Sequence, residues 1–321
     1  LPAPLPPPGC GSSLVIDLAP GTVSMTLLPI HHAYCFTMDI LKGLSIGMVI
    51  CINDSIMHVS KNLKLFKPDI VLLVPMVIES IYKKLKESTG ILPKKMVAKA
   101  AFGGNLKIIC SGGAFMPPEM VGAFAEYGIT VLQGYGMTEC SPVISTNQQN
   151  NSKVGSVGKL LDNCQAKVVD DELWVKGSSV MMGYYKMPEE TKEALTEDGW
   201  LRTGDLGYVD EDGFVFLTGR KKNLIILKNG ENVSPEELEN ALLRYDLVQE
   251  VLVRETESVI EAEIFPDYEY AKKKHVKDIR AKLQEIVDEY NTGLPAYKKI
   301  HSLKVRETEF EKTPSKKIKR F

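Results

Sequence analysis

Thr138 and Glu139, in the string LQGYGMTECSP at 132–142, pair a hydroxyl that can meet a phosphate with a carboxylate that can meet magnesium. That hard cation favours carboxylate and phosphate oxygens together. The same string sets Tyr135 between Gly134 and Gly136, so a flat ring able to stack on a base stands where the backbone can come close. Asp205, in WLRTGDLG, follows a glycine and has the two acceptor oxygens that a ribose diol needs. Arg220 carries a fork of donors suited to a phosphate or a ribose. Gly112, Gly113 and Ala114 of CSGGAFMPPEM are small enough to let a ligand approach the backbone, and so is Gly230. One histidine after a strand is more often structural than catalytic. His31 and His32 of LLPIHHAY are adjacent and lie beside an aromatic, which makes a ligand-facing donor an equal reading. The tail EKTPSKKIKRF holds five Lys and Arg residues and, taken alone, reads as a solvated end or a localisation or nucleic-acid patch.

These strings need elements to hold them. Up to about residue 135, Ile70–Val74, Lys107–Cys110 and Ile129–Leu132 read as buried strands, with helices at Pro75–Lys86 and Pro118–Tyr127 between them. Such alternation predicts a mostly parallel, covered sheet. From about 155 to 220, short runs at Ala166–Val169, Glu172–Val175 and Phe214–Leu217 are separated by Gly and Asp turns, DEDG at 210–213 among them, and predict a meander or small barrel. Beyond 223, Ser234, Pro235 and Glu237 have the spacing of a capping box that opens a helix. Val248–Arg254 and Val259–Phe265 read as strands. Val276, Ile279, Leu283, Ile286 and Tyr290 mark one face of an amphipathic helix ended by Gly293 and Pro295. This last part is a small α+β unit, with its boundary in Gly219–Asn223.

A chain of 321 residues has room for two or three domains. Its formal net charge of −2 gives no long-range field toward nucleic acid. The six cysteines, at 10, 35, 51, 110, 140 and 164, show no CxxC pair and read as free thiols of a reducing compartment. The apolar stretch Leu27–Ile52 is broken by His31, His32, Asp39 and Lys42, which argues against a membrane span. The opening LPAPLPPPGCGSS lacks a Met and a basic segment, and reads as a disordered lead-in, the end of a truncated chain or a Pro-rich ligand.

In order and spacing, YGMTE, WLRTGDLG, GRKKNLI, NGENVSPEELE and PSKKIK resemble the adenylate-forming superfamily of acyl-CoA ligases, luciferases and peptide-synthetase adenylation domains. The resemblance runs from about Thr22 to Phe321, and PIHHAY with PSKKIKRF is most similar to bacterial long-chain fatty acid CoA ligases. It implies an α/β fold in three parts. Residues 1–20 are a disordered or truncated lead-in. Residues 21–221 are the remaining part of a large AMP-binding domain, with a parallel αβ sheet and a small β-barrel subdomain. Residues 222–321 are an α+β C-terminal lid. Roles follow by position. His32 lies near the acyl and phosphate groups, and Gly112, Gly113 and Ala114 line the adenine and acyl pocket. Tyr135, with Gly136, stacks on adenine. Thr138 and Glu139 meet phosphate and magnesium, while Asp205 and Arg220 meet the ribose. Lys222 is the hinge, Gly230 lines the thiol tunnel and Lys317 is the lysine that supports adenylation.

The implied reaction joins a fatty acid to CoA at the expense of ATP, with Mg2+. A carboxylate attacks the α-phosphate, giving acyl-AMP and pyrophosphate; the lid turns, and the CoA thiol displaces AMP. A lysine and magnesium would oppose the charge that develops at the α-phosphate. The implied partners are fatty acid, ATP and CoA without nucleic acid, in the cytoplasm, with peripheral membrane contact left open. Three departures stand out. The family's Gly, Ser and Thr-rich phosphate loop has no counterpart before LLPIHHAY, which points to an incomplete fragment. Lys316 occupies a position often held by Gly, and Asp171 replaces a Gly in a turn. Two other readings remain: adenylation of another carboxylic acid for a carrier-protein thiol, and a non-catalytic AMP-binding remnant.

Overall fold

The computed structural model describes residues 16, 18–90, 92–227, 230–257, 259–312 and 318–320. Most of the expected lead-in, and Lys316 and Lys317, lie outside these residues. The chain divides into two compact units: the first runs to Thr203 and includes Gly207–Leu217, and the second takes Gly204–Leu206 and Thr218–Phe321. The expected junction at 221 and 222 falls in the 3-10 turn Lys221–Asn223.

The first unit is built on β1 (Val23–Thr26), β2 (Val49–Ile52), β3 (Ile70–Leu73), β4 (Ile108–Ser111), β5 (Thr130–Gly136), β6 (Val143–Thr146) and β7 (Lys159–Leu160). They form one seven-stranded sheet in the order β2-β1-β3-β4-β5-β6-β7. The strands from β2 to β5 pair in parallel, and β6 and β7 continue the sheet antiparallel. β3 and β4 are apolar without alternation because both of their faces are covered. Val71, Leu73, Ile109 and Val131 join one core with Ile78, Leu85 and Phe124 from the helices Pro75–Ser88 and Pro118–Ala125. Their alternate neighbours Ile70, Leu72, Ile108, Cys110 and Leu132 join a second core on the opposite face. Ile16 is buried in that second core, so this part of the expected lead-in is packed. The edge strand β2 differs: Val49 is 50% exposed and Ile52 62%.

The turn-rich region forms a sheet in the order β11-β10-β9-β8, from β8 (Cys164–Val169), β9 (Glu172–Gly177), β10 (Leu201–Val209) and β11 (Val215–Arg220). Val169 pairs with Glu172 across a two-residue turn in which Asp170 and Asp171 have φ of 50° and 62°. Aspartate tolerates this left-handed conformation, which explains why Asp171 can stand where glycine is usual. In the β10–β11 turn, Asp210 Oδ1 accepts from the Asp212 and Phe214 amides, and Lys153 ties the DEDG carboxylates of Asp210 and Asp212 from a distant part of the chain, 2.9 Å from Asp212.

The second unit holds the short pair β12 (Ile225–Ile226) and β13 (Asn232–Val233), then β14 (Val248–Thr256), β15 (Val259–Pro266) and β16 (Ser302–Val305), ordered β14-β15-β16. The helices Pro235–Leu242 and Ile279–Thr292 bring Leu238, Leu242, Leu283, Ile286 and Val287 into a core with Val251, Val253, Ala262 and Ile264. The expected capping box is not formed. Ser234 does stand at the N-cap, but its hydroxyl donates to the Thr218 carbonyl at 2.8 Å, and Glu237 instead pairs with Lys298 at 2.8 Å. The absence of a side chain at Gly219 permits this, since a Cβ there would lie 2.2 Å from Ser234 Oγ.

The C-terminal chain is tied on both sides of 313–317. Lys312 and Ile318 form an antiparallel bridge, and the Lys319 amide donates to the Glu311 carbonyl at 2.8 Å. Ile318 packs against Leu252, Phe265 and Phe310. Arg320 grips Glu239 with both guanidinium nitrogens, one of them at 2.9 Å from Oε1. Among the described residues, no helix is long and apolar enough to cross a membrane, and the five cysteines are free thiols.

Candidate active site

The loops after β1, β4 and β5 leave a parallel sheet at one edge, where open α/β sheets bind ligands. His32 is exposed and caps the helical turn Ala33–Cys35: its Nδ1 accepts the Tyr34 amide at 3.2 Å. An accepting Nδ1 on a neutral ring leaves the proton on Nε2, where the imidazole remains a donor. The next loop meets this one through Tyr34, whose ring lies 3.4 Å from where a Gly112 Cβ would be. A Cβ at 112 would touch this ring at van der Waals distance, so a side chain longer than alanine would have to pass beside it. Gly113 has φ of +83°, which glycine adopts without strain, and it and Ala114 are exposed.

After β5, the residues separate into supports and presented groups. Tyr135 is 8% exposed and belongs to the core with Cys140, Ile144 and Leu173, so most of its ring is covered by this chain. A Cβ on Gly136 would lie 1.9 Å from the Pro142 carbonyl oxygen, which accepts the Met137 amide at 2.8 Å. The chain's own bulge therefore requires that glycine. Thr138 and Glu139 follow on the 3-10 turn Thr138–Cys140, anchored by fully buried Cys140. The Tyr184 hydroxyl donates to Glu139 Oε1 at 2.9 Å.

In the second unit, Asp205 and Arg220 are brought together as an ion pair, Nε to Oδ1 at 2.7 Å. Asp205 is 5% exposed, and the guanidinium matches a carboxylate charge that burial alone would disfavour. The two expected ribose residues are thus joined in one ion pair. Lys222 is exposed in the turn Lys221–Asn223. Gly230 closes the β12–β13 loop, donating to Leu227 O at 2.9 Å with φ of +85°. Among the described residues beyond its chain neighbours, no atom lies within 4 Å of its missing Cβ, so it is backbone conformation that asks for glycine there. The expected catalytic position Lys317 lies outside the described residues.

A polar cluster under the sheet went unread in the sequence. Asp39, 1% exposed, accepts from Ser24 Oγ at 2.7 Å and from Cys35 Sγ at 3.7 Å. Burial lifts its carboxyl to about 6, with those two donors opposing. Tyr34, Lys42 and Cys110 line the same small cavity. Burial pushes the Cys110 thiol up to about 12 and lowers the Lys42 ammonium. The signal was present as polar interruptions of an apolar stretch: Cys35, Asp39 and Lys42 repeat at helical spacing.

Residues 10–185 match the AMP-binding enzyme family, and residues 222–321 match the AMP-binding enzyme C-terminal domain. A long-chain-fatty-acid–CoA ligase of Mycobacterium bovis is 29% identical over 364 residues, taking in 94% of this chain and 60% of the ligase. A sulfoacetate–CoA ligase of Cupriavidus necator is 44% identical over 154 residues, 44% of this chain and 30% of that one. Among solved structures, the o-succinylbenzoate CoA synthetase of Bacillus subtilis with its acyl-adenylate intermediate superposes with a TM-score of 0.77 at 27% identity, over 96% of this chain and 61% of that one. The same enzyme with ATP and a magnesium ion gives 0.76 at 26%, over 96% and 62%. The chain therefore spans about 60% of the length of the long-chain-fatty-acid–CoA ligase it matches. The expected α/β adenylate-forming fold is the one these superpositions share. With one match on the parallel sheet and the other on the α+β unit that follows it in the sequence, the chain belongs to the AMP-binding enzyme family.

Proposed function

We propose that the protein takes part in ATP-dependent activation of a carboxylic acid, a fatty acid in the first place, to acyl-AMP and then in its transfer to the thiol of CoA. The observation that carries this reading is the presentation of Thr138 and Glu139 at the sheet edge where the Tyr34–Gly112 contact also lies. Family membership and the Mycobacterium bovis relative support it. Gly112, Gly113 and Ala114 would border the nucleotide and acyl groups, beside the uncovered part of Tyr135, with Gly136 holding the strand end. His32 would donate to the acyl or phosphate oxygens. Thr138 would meet phosphate. Among the described residues, no group of three His, Cys, Asp or Glu side chains could hold a metal. A magnesium ion at Glu139 would therefore draw its remaining ligands from phosphates and water, as this cation commonly does.

In the second unit, which would act as the lid over 222–321, the Asp205–Arg220 pair would take the ribose, Lys222 would be the hinge and Gly230 would border the thiol path. Lys317 would oppose charge on the α-phosphate, which is where a mobile cation can act in one half-reaction and leave for the other. Fatty substrates suit a cytoplasmic enzyme that touches membranes peripherally. The test is to extend the chain to the length of its relatives by their unmatched part. Fatty-acid-dependent pyrophosphate exchange and acyl-CoA formation are the expected results. Exchange with aryl or short acids alone would move the substrate class, and none with any acid would reject the reading.

A further inference from the structure

Glu139 and the loop 181–191 are joined at two points. The Met181 amide donates to the Glu139 carbonyl at 2.8 Å, and the Tyr184 hydroxyl donates to the Glu139 carboxylate at 2.9 Å. Residues on either side of Tyr184 face solvent, Met182 fully and Tyr185 at 85% exposure, while Tyr184 is turned toward the carboxylate. Its own backbone is held from behind. The Tyr184 amide donates to Thr191 Oγ1 at 2.9 Å, Thr191 Oγ1 donates to the Met187 carbonyl at 2.7 Å, and the Met187 amide returns to the Tyr184 carbonyl at 3.2 Å. Gly183 fits this closure because a Cβ there would lie 2.8 Å from Thr191 Cγ2, and its φ is +144°. The backbone of Tyr184 is thus fixed by a ring of hydrogen bonds centred on Thr191, and its partly exposed phenol is tied at the hydroxyl to Glu139.

The geometry points to Tyr184 as a positioning residue that holds the Glu139 carboxylate in the orientation a divalent cation needs, a role that rests on the adenylating reading above. A carboxylate offers about four acceptor sites, so one neutral donor does not exhaust it. A free glutamate side chain loses rotamer freedom when a ligand orders it, and a carboxylate ordered beforehand avoids that cost. The hydroxyl brings no positive charge, so the full anionic charge stays available to the cation.

The experiment is calorimetric titration of the whole chain with AMP in EDTA, then with ATP with and without magnesium. Tyr184→Phe keeps the ring and removes the donor. It should leave metal-free AMP affinity unchanged and lower the magnesium-dependent gain in ATP affinity roughly tenfold, the effect of losing one hydrogen bond to a charged group. Glu139→Gln should lose the gain as well, and the double variant should lose no more than Glu139→Gln alone, as expected of residues that act as one unit. AMP binding with an undiminished magnesium gain in Tyr184→Phe overturns the positioning role alone. A wild-type chain that binds no AMP, or whose ATP affinity gains nothing from magnesium, overturns this inference, while the adenylating reading stands or falls on pyrophosphate exchange by the extended chain.

Discussion

Asp39 shows what a single buried carboxyl does to a fold. It lies beneath the sheet among Tyr34, Cys35, Lys42 and Cys110, with Ser24 as its nearest donor. Its carboxyl is raised by burial from 3.8 to about 6, so the folded state favours the protonated form. The stability this contributes is complete below the ordinary carboxyl range and is lost as pH rises through about 6. Asp39→Asn removes the ionisation and can keep the contact with Ser24. Its stability should therefore improve relative to wild type by on the order of 3 kcal/mol between pH 4 and pH 7. Urea midpoints followed by tryptophan fluorescence will show this, because Trp174 and Trp200 both belong to the first unit. A difference that stays constant with pH would mean that Asp39 does not titrate there. At this scale the sequence was legible where a residue type has one strong use. Glu139 was readable as a presented carboxylate. Its partner was not, because Tyr184 stands 45 positions away and only the fold brings the two together.

Among the elements, the chain on either side of 313–317 bears most on the proposed adenylation. It is held by the Lys312–Ile318 bridge, by Ile318 in its apolar cluster and by Arg320 on Glu239. Lys317 directly precedes Ile318 in the sequence. Arg320→Ala leaves Glu239 with only the Val253 amide of its two strong partners. We expect a loss of about 2 kcal/mol from the second unit, below the range for a fully buried pair because Arg320 retains some exposure. In the extended enzyme, Arg320→Ala should lower pyrophosphate exchange more than thioester formation from supplied acyl-AMP, as Lys317→Ala should. Equal losses in both half-reactions would separate the tail from adenylation. Element types were readable from pattern: β3 and β4 are uninterrupted apolar runs, and the helix Ile279–Thr292 repeats at steps of three and four. The capping box misled because local spacing does not show what lies across from a side chain. Ser234 turns its hydroxyl to the Thr218 carbonyl, 16 residues back in the chain, and Glu237 is taken up by Lys298.

For the whole molecule, the governing fact is that each unit has its own core. Ile109 is fully buried in the first and Leu238 in the second. Replacing either by Ala should cost about 2–5 kcal/mol. Leu238→Ala should shift the circular-dichroism transition of the second unit and leave the tryptophan transition in place, and Ile109→Ala should do the reverse. A single transition that moves with both substitutions would show the units unfolding together. The two-part organisation was visible in the change of texture near residue 220, since a parallel sheet and a small α+β unit bury their apolar residues at different periods. The middle of β10, Gly204–Leu206, and the end of β11 group with the second unit, and this was not visible, because a strand pattern carries no mark of which unit each stretch will join. The edge strand β2 has a practical outcome of another kind. Its peptide groups face outward beside half-exposed Val49 and Ile52, a template onto which another extended chain can add. Among the described residues, association in concentrated solution can then begin at these four residues on the rim of the sheet with both cores intact.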